Sequence, residues 1–264
     1  MFRAPMIAPG PLTNRNPSIK LLVLTVISVL LMFVFDPTTP AVLYAVSLFV
    51  VLLSYRGPKS RVIKAHLPFY AFGFGVFMVN TLTRPGEVLW QAGILRITAE
   101  GLSVGSALAL RTMLIGILAV AFMLSTDGER LMASLHQNLR LGSRITFAVL
   151  AGYRMLQDLP REWTTIRQAH AVRAPDRGRG FSRSPKHLAK VVFALLVVSI
   201  RKSERMSQTL ESRGLGLTPR TIYRPIPITG TDWWFAAVTL TAVLVVLGAS
   251  MYFGVWQGPG ALSS

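Results

Sequence analysis

The sequence predicts an all-α integral membrane protein, with about five transmembrane helices and further amphipathic helices on the cytoplasmic side. Three observations carry this. Hydrophobic residues make up 52% of the chain and mean hydropathy is +0.49. Charged residues are only 15%, against about 25% in a typical soluble domain. The remaining charge is lopsided, 28 Lys and Arg against 11 Asp and Glu, for a formal +17.

Residues 1–20 are polar and Pro-rich, with no small-residue cleavage site, so the first apolar run is expected to be a retained span and not a signal peptide. That run covers 19–35 and stops at Asp36-Pro37. A second, 41–53, follows after a link so short that the pair must form a hairpin. Both are short for a hydrocarbon core of about 30 Å, which takes about 20 residues. Flanking Tyr and Lys can extend them to the interface. Arg56, Lys59, Arg61 and Lys64 form an expected basic loop over 54–66. The third span, 67–82, contains Phe72-Gly73-Phe74-Gly75, where small residues allow close helix approach. Segment 83–100 is mixed, with a β-like stretch at 93–98. The fourth span, 102–125, and the last, 233–253, are long enough without qualification.

Between those two spans the composition changes. Residues 127–230 hold 18 Lys and Arg against 7 Asp and Glu, a net +11. Their apolar stretches, 145–153 and 188–200, have lengths more typical of buried or interfacial helices than of spans; a tilted membrane hairpin is the alternative. The expected division is a membrane domain over 1–126, a basic cytoplasmic domain over 127–230 and a C-terminal span within 231–264. Positive residues mark the cytoplasmic side, which places the N-terminus (Arg3, Arg15, Lys20), loop 54–66 and residues 127–230 inside. The C-terminus falls outside.

Catalytic chemistry finds little support. Without cysteine, thiolate metal sites, disulfides and cysteine nucleophiles are excluded. His66, His136, His170 and His187 are scattered, with no pair at the i, i+4 spacing of helical metal ligands, so no metal site and no catalytic residue is expected. No G-x-x-x-x-G-K-[ST] occurs. The Gly-rich pieces 177–180 and 214–216 lack a preceding strand and read as a turn and a helix stop. No aromatic-basic motif suggests nucleic acid. Only Asp36, Glu87, Glu100 and Asp232 are acidic outside the basic segment, which weakens the rival reading of a membrane enzyme acting on a phosphorylated lipid or isoprenoid. Arg111 lies inside a span, where a cation is costly and normally faces the bundle interior.

The basic segment contains a repeated design. Glu162, Ile166, Ala169 and Arg173 fall on one helical stripe, and Pro175 ends that helix by pushing Ala174 out of helical geometry. Met206, Leu210 and Arg213 form a second stripe, with Gly214 as the stop. Each helix presents an Arg at its C-terminal end, which the helix dipole favours. Small residues (Ala169, Ala171, Ser212) beside it permit close docking.

These two pieces, 169–174 (Ala-His-Ala-Val-Arg-Ala) and 209–214 (Thr-Leu-Glu-Ser-Arg-Gly), resemble the paired Ala-x-x-x-Arg-Gly-type motifs of the transmembrane (T) component of energy-coupling factor transporters, the EcfT/CbiQ/BioN-like family. Asn16-Pro17-Ser18-Ile19-Lys20, Thr98-Ala99-Glu100-Gly101-Leu102 and Tyr153-Arg154 with Pro160 agree, and the resemblance covers about residues 14–250. Ala174 stands where Gly is usual, His170 where Gln is common and Thr209 where Ala is usual. The resemblance implies a non-catalytic subunit of an ATP-driven importer in the plasma membrane of a prokaryote. Its coupling helices would dock on two ATP-binding cassette ATPases through Ala169, Ala171, Arg173, Glu211, Ser212, Arg213 and Gly214. Its spans would contact a substrate-binding membrane S component, which selects the vitamin or metal ion taken up. ATP and Mg would sit on the ATPases, with no cofactor on this chain.

Overall fold

The computed structural model describes residues 10–92, 95–139, 141–173, 185–217 and 225–254. Several sequence features lie outside these: Arg3, Gly93, Ile94, Ala174, Pro175, the 177–180 turn and the uncharged tail beyond Gly254. The chain divides into two compact units, one of residues 7–127 with 227–264 and one of 128–226 with the first six residues.

The first unit is an apolar helical assembly. It contains α1 (Pro17–Leu31), α2 (Thr38–Ser54), α3 (Lys59–Thr83), a β-hairpin of β1 (Val88–Ala92) and β2 (Leu95–Thr98), α4 (Ala99–Ser125) and, after the second unit, α8 (Gly230–Tyr252). Three of these, α3, α4 and α8, are long and apolar enough to cross a membrane, and α1 and α2 are shorter apolar helices. Large apolar side chains such as Val29, Phe49, Leu53, Phe72, Phe74 and Val245 point outward. An outer surface of this kind suits a bilayer and not water, and the fold is that of an all-α membrane protein with one small hairpin.

Local chemistry explains the boundaries. The Asn16 side chain accepts the Ser18 N–H at 3.0 Å, and Pro17 occupies the first turn, where no N–H is required. Thr98 caps α4 by accepting the Gly101 N–H at 3.1 Å. The connection expected at 36–40 instead spans 32–37, because α1 tightens into i→i−3 bonds that end at Val34. Asp36 then accepts the Thr39 N–H at 2.8 Å, which starts α2 earlier than hydropathy indicates. The basic loop expected over 54–66 shrinks to four residues, and Lys59, Arg61 and Lys64 ride on α3, whose helix continues through Pro68.

Ile19, Val23, Ile27 and Leu31 recur along one face of α1 and form the core with Leu114, Ile117 and Val120 of α4 and Val243 and Leu247 of α8. The long α3–α4 pair packs closely. Gly105 lies so near α3 that a Cβ there would meet the Phe77 carbonyl oxygen at 3.1 Å. Of the two glycines of the Phe-Gly pair, Gly73 faces α4 and Gly75 faces open space. The β-like stretch is real, as β2 pairs antiparallel with β1.

The second unit holds α5 (Gly128–Asn138), α6 (Ser143–Val172) and α7 (Pro185–Ser212). The short apolar stretches 145–153 and 188–200 and the two motif helices are therefore not separate elements. Each stretch and its motif belong to one helix, of 30 residues in α6 and 28 in α7. α6 runs through Pro160, which removes a single N–H from the ladder without ending it.

Candidate functional site

α6 and α7 form an antiparallel hairpin. Lys202 Nζ of α7 donates to Asp158 Oδ2 at 2.9 Å and lies 3.5 Å from Glu162 Oε1, both on α6. Further along, the His170 and His187 rings meet edge to face, 5.7 Å between centroids. α6 is tied in turn to α5, where Arg154 Nε donates to Glu129 Oε1 at 3.0 Å. That contact raises the Arg154 pKa through its hydrogen bond and charge.

The antiparallel arrangement decides where the two motifs go. α6 ends at Arg173, its C-cap, whose N–H bonds the Ala169 carbonyl. α7 starts beside that end and finishes at the far one. His187 lies against His170, so the stretch from His187 to Arg213, at 1.5 Å per residue, puts the two motif arginines roughly 40 Å apart. They occupy opposite tips of one bar.

Both tips are accessible. Ala169, Ala171 and Arg173 are exposed, as are Glu211, Ser212 and Arg213. Among the described residues neither guanidinium forms an ion pair. The second tip is the more firmly capped. Gly214 adopts φ +79°, the Leu215 N–H bonds the Leu210 carbonyl at 3.0 Å and the Gly214 N–H bonds the Glu211 carbonyl at 2.9 Å. This is a Schellman stop, which satisfies carbonyls the helix end would otherwise leave orphaned. Ser212 Oγ donates to the Thr209 carbonyl at 3.0 Å, which leaves a compact end beside Arg213.

Arg111 belongs to the other unit. Its Nη2 donates to the Val34 carbonyl in the α1–α2 connection, and its guanidinium lies over the Phe35 ring, 4.9 Å from the centroid. The residue is half-buried against the α1–α2 connection, whose two helices each pack on α4 and α8 and not on one another as the hairpin expected from their short link. Its partners are a backbone carbonyl freed by the tightened end of α1 and an aromatic face, a cation–π arrangement.

Sequence reasoning missed three polar links. Lys202 spans Asp158 and Glu162; the i, i+4 acidic pair was a usable signal, but nothing local points to its partner. Lys20, read from its charge as part of the positive-inside pattern, is buried, and its Nζ donates to the Ser125 carbonyl at 2.9 Å. Asp232 accepts the Asn16 N–H at 2.9 Å, joining the start of α1 to the start of α8. No group of three or more metal-ligating side chains gathers among the described residues.

The family model for cobalt transport protein CbiQ matches residues 11–223. The chain is 24% identical over 253 residues to the energy-coupling factor transporter transmembrane protein EcfT of Streptococcus equi, covering 88% of this chain and 87% of that protein. The protein of the same name from Bacillus subtilis is 24% identical over 248 residues, covering 90% and 91%. That from Lacticaseibacillus paracasei is 28% identical over 187 residues, covering 67% and 71%. The family match takes in α1 to α4 of the apolar unit and both arginine-tipped helices, and the chain belongs to the CbiQ/EcfT family of transmembrane components of energy-coupling factor transporters, a transport subunit and not an enzyme.

Proposed function

We propose that this chain links ATP hydrolysis by two ATP-binding cassette subunits to uptake of a vitamin or metal ion through a separate S component. The single observation that supports it most is the hairpin with one exposed arginine at each tip, Arg173 and Arg213, neither in an ion pair among the described residues. Two tips roughly 40 Å apart suit two grooves on two subunits, one per tip. A bar pinned at Lys202 would turn a change in the spacing of those subunits into a rotation of the hairpin. ATP and Mg would be held by the ATPases and no cofactor by this chain.

In this reading residues 127–230 and the N-terminus are cytoplasmic, in line with the positive charge they carry. The apolar spans meet the S component, which selects the substrate. A buried interfacial Arg that loses its partners costs about 2 to 5 kcal/mol. The double variant Arg173→Glu with Arg213→Glu should therefore release both ATPases while the membrane unit persists. Pull-down of the ATPases and substrate uptake are measured on the same preparations, with Arg183→Glu as a charge control. Retention of both ATPases and of transport by the double variant would refute the assignment.

A further inference from the structure

The β-hairpin stands between two helices long enough to cross a membrane, and its outer strand carries bare apolar side chains. β2 packs against α3 and α4, whereas β1 packs against β2. Val88 pairs with Thr98 and Trp90 with Ile97, so Leu89 is the extra residue of a bulge. A bulge re-aims side chains and breaks the strict alternation of a strand. Val88, Leu89 and Trp90, three in succession, are all exposed, by 51%, 62% and 56%.

We propose that Val88, Leu89 and Trp90 insert into the head-group interface of the bilayer, beside the end of α4 remote from Ser125. Position supports this. β2 ends at Thr98 and α4 begins at Ala99, so the strand runs straight into a span. α4 has 27 residues, about 40 Å of helix, against a hydrocarbon core of about 30 Å. A spanning α4 therefore ends in the head-group layer, and the β-hairpin departs from that level. The outward apolar surface is continuous up to it, because Val79 near the end of α3 and Leu102 in the first turn of α4 are exposed as well.

Chemistry selects the interface over both the hydrocarbon and bulk water. A two-stranded hairpin leaves unpaired N–H and carbonyl groups along its strand edges, which hydrocarbon cannot satisfy. Water and head groups can. Three successive bare apolar side chains gain by leaving water. Trp buries an apolar ring while its N–H stays among polar groups, which is why it gathers at membrane interfaces. The strand is also held in place beforehand. The Glu87 N–H donates to the Glu100 carboxylate at 2.8 Å, the Ala99 N–H to the Glu87 carbonyl at 3.0 Å and the Thr98 hydroxyl to the Arg84 carbonyl at 3.0 Å. These bonds tie the base of the β-hairpin to the end of α3 and the start of α4.

The test uses the full chain in phosphatidylcholine vesicles whose lipids carry bromine near either the carbonyl or the methyl end of the acyl chain. Trp90 emission is the difference between the parent and Trp90→Phe. The expected result is quenching of that difference by the shallow bromines, less by the deep ones and little by aqueous iodide. Iodide quenching with no effect of either lipid would overturn the proposal. Stronger quenching by the deep bromines would overturn the interfacial depth and with it the proposal. The absence of native cysteine allows a second measure. Spin labels on Val88→Cys and on Leu89→Cys should collide more with oxygen than with a water-soluble nickel complex, as a label on the outward Phe72→Cys does. Two sites guard against one label disturbing the strand. Preference for the nickel complex at both would overturn the proposal. Labels sheltered from water only after the other transporter subunits are added would assign the strand to a protein partner and equally overturn it.

Discussion

Lys202 on α7 sits between Asp158 and Glu162, one turn apart on α6, and joins the two long helices through a single ammonium. The hydrogen bond to Lys202 and its charge hold the Asp158 carboxyl below the usual carboxylate range, and the same contact raises Lys202. A depressed acid contributes stability above its unfolded pKa, about 3.9, and loses it as pH falls through the lower folded value. A raised lysine contributes below its unfolded pKa, about 10.4, and loses it only as pH rises through the higher folded value. The link is thus constant from about pH 5 to 9. Lys202→Met should broaden the α6–α7 distance distribution equally at both ends of that range. Spin labels on introduced cysteines at Thr165 and Ser199 measure it in a background free of native cysteine. A broadening that depends on pH between 5 and 9 would contradict the account.

The two tips should fail separately. Arg173→Glu is expected to weaken ATPase binding at one tip, and Arg213→Glu at the other, each by about thirtyfold or more, the equivalent of about 2 kcal/mol. Lys at either position keeps the charge but loses the planar fork, so its effect should be milder yet measurable. Titration of each ATPase subunit against the single variants checks this.

Gly214→Ala probes the cap without touching a charge. Its φ of +79° strains any L side chain, and a Cβ would meet Leu217 Cδ1 at 3.1 Å. The cost is about 1 to 2 kcal/mol. Fraying of the last turn of α7 should weaken docking at the Arg213 tip and leave the Arg173 tip unaffected. Hydrogen exchange at Leu210 to Leu215 should quicken in the same variant.

Arg111→Leu removes the donor to the Val34 carbonyl and the contact with Phe35. A buried acceptor left unpaired costs about 1 to 3 kcal/mol. Thermal melting in detergent should therefore fall, with Arg111→Lys intermediate. A melting temperature equal to that of the parent would show that the contact contributes nothing to the bundle.

Topology makes the last prediction. Reporter fusions after Gly230 and after Ser264 should report opposite sides of the membrane, with the former cytoplasmic. The same side for both would mean that α8 does not cross.

Much of this was legible because hydropathy and charge are additive along a chain. Apolar runs locate α3, α4 and α8, and Gly214 marks the stop of α7 through backbone chemistry that depends on a few neighbours. The extents of α6 and α7 were not legible. Polar residues between an apolar stretch and its motif break the hydropathy signal, yet the backbone ladder ignores them, Pro160 included. The start of α2 was missed because it depends on the Asp36 side chain and not on apolar content. The opposite placement of Arg173 and Arg213 was beyond reach for a different reason. It follows from antiparallel pairing of helices separated by residues 174–184, and pairing direction leaves no mark in either helix alone.

The bond from the Asn16 N–H to Asp232 spans 216 residues of sequence. α1 therefore cannot close its bundle until α8 has been made, and the entire second unit must be synthesised first. At about 5 to 20 residues per second, that is a delay of roughly 10 to 40 s. Throughout it the α8-facing sides of α1 and α2 lie unsealed in the bilayer, and the nascent chain depends on lipid, or on an insertion factor, as a temporary wall. Biogenesis of this protein should thus be most vulnerable to translational arrest between the end of α4 and the end of α8, a window in which the mature fold offers no protection.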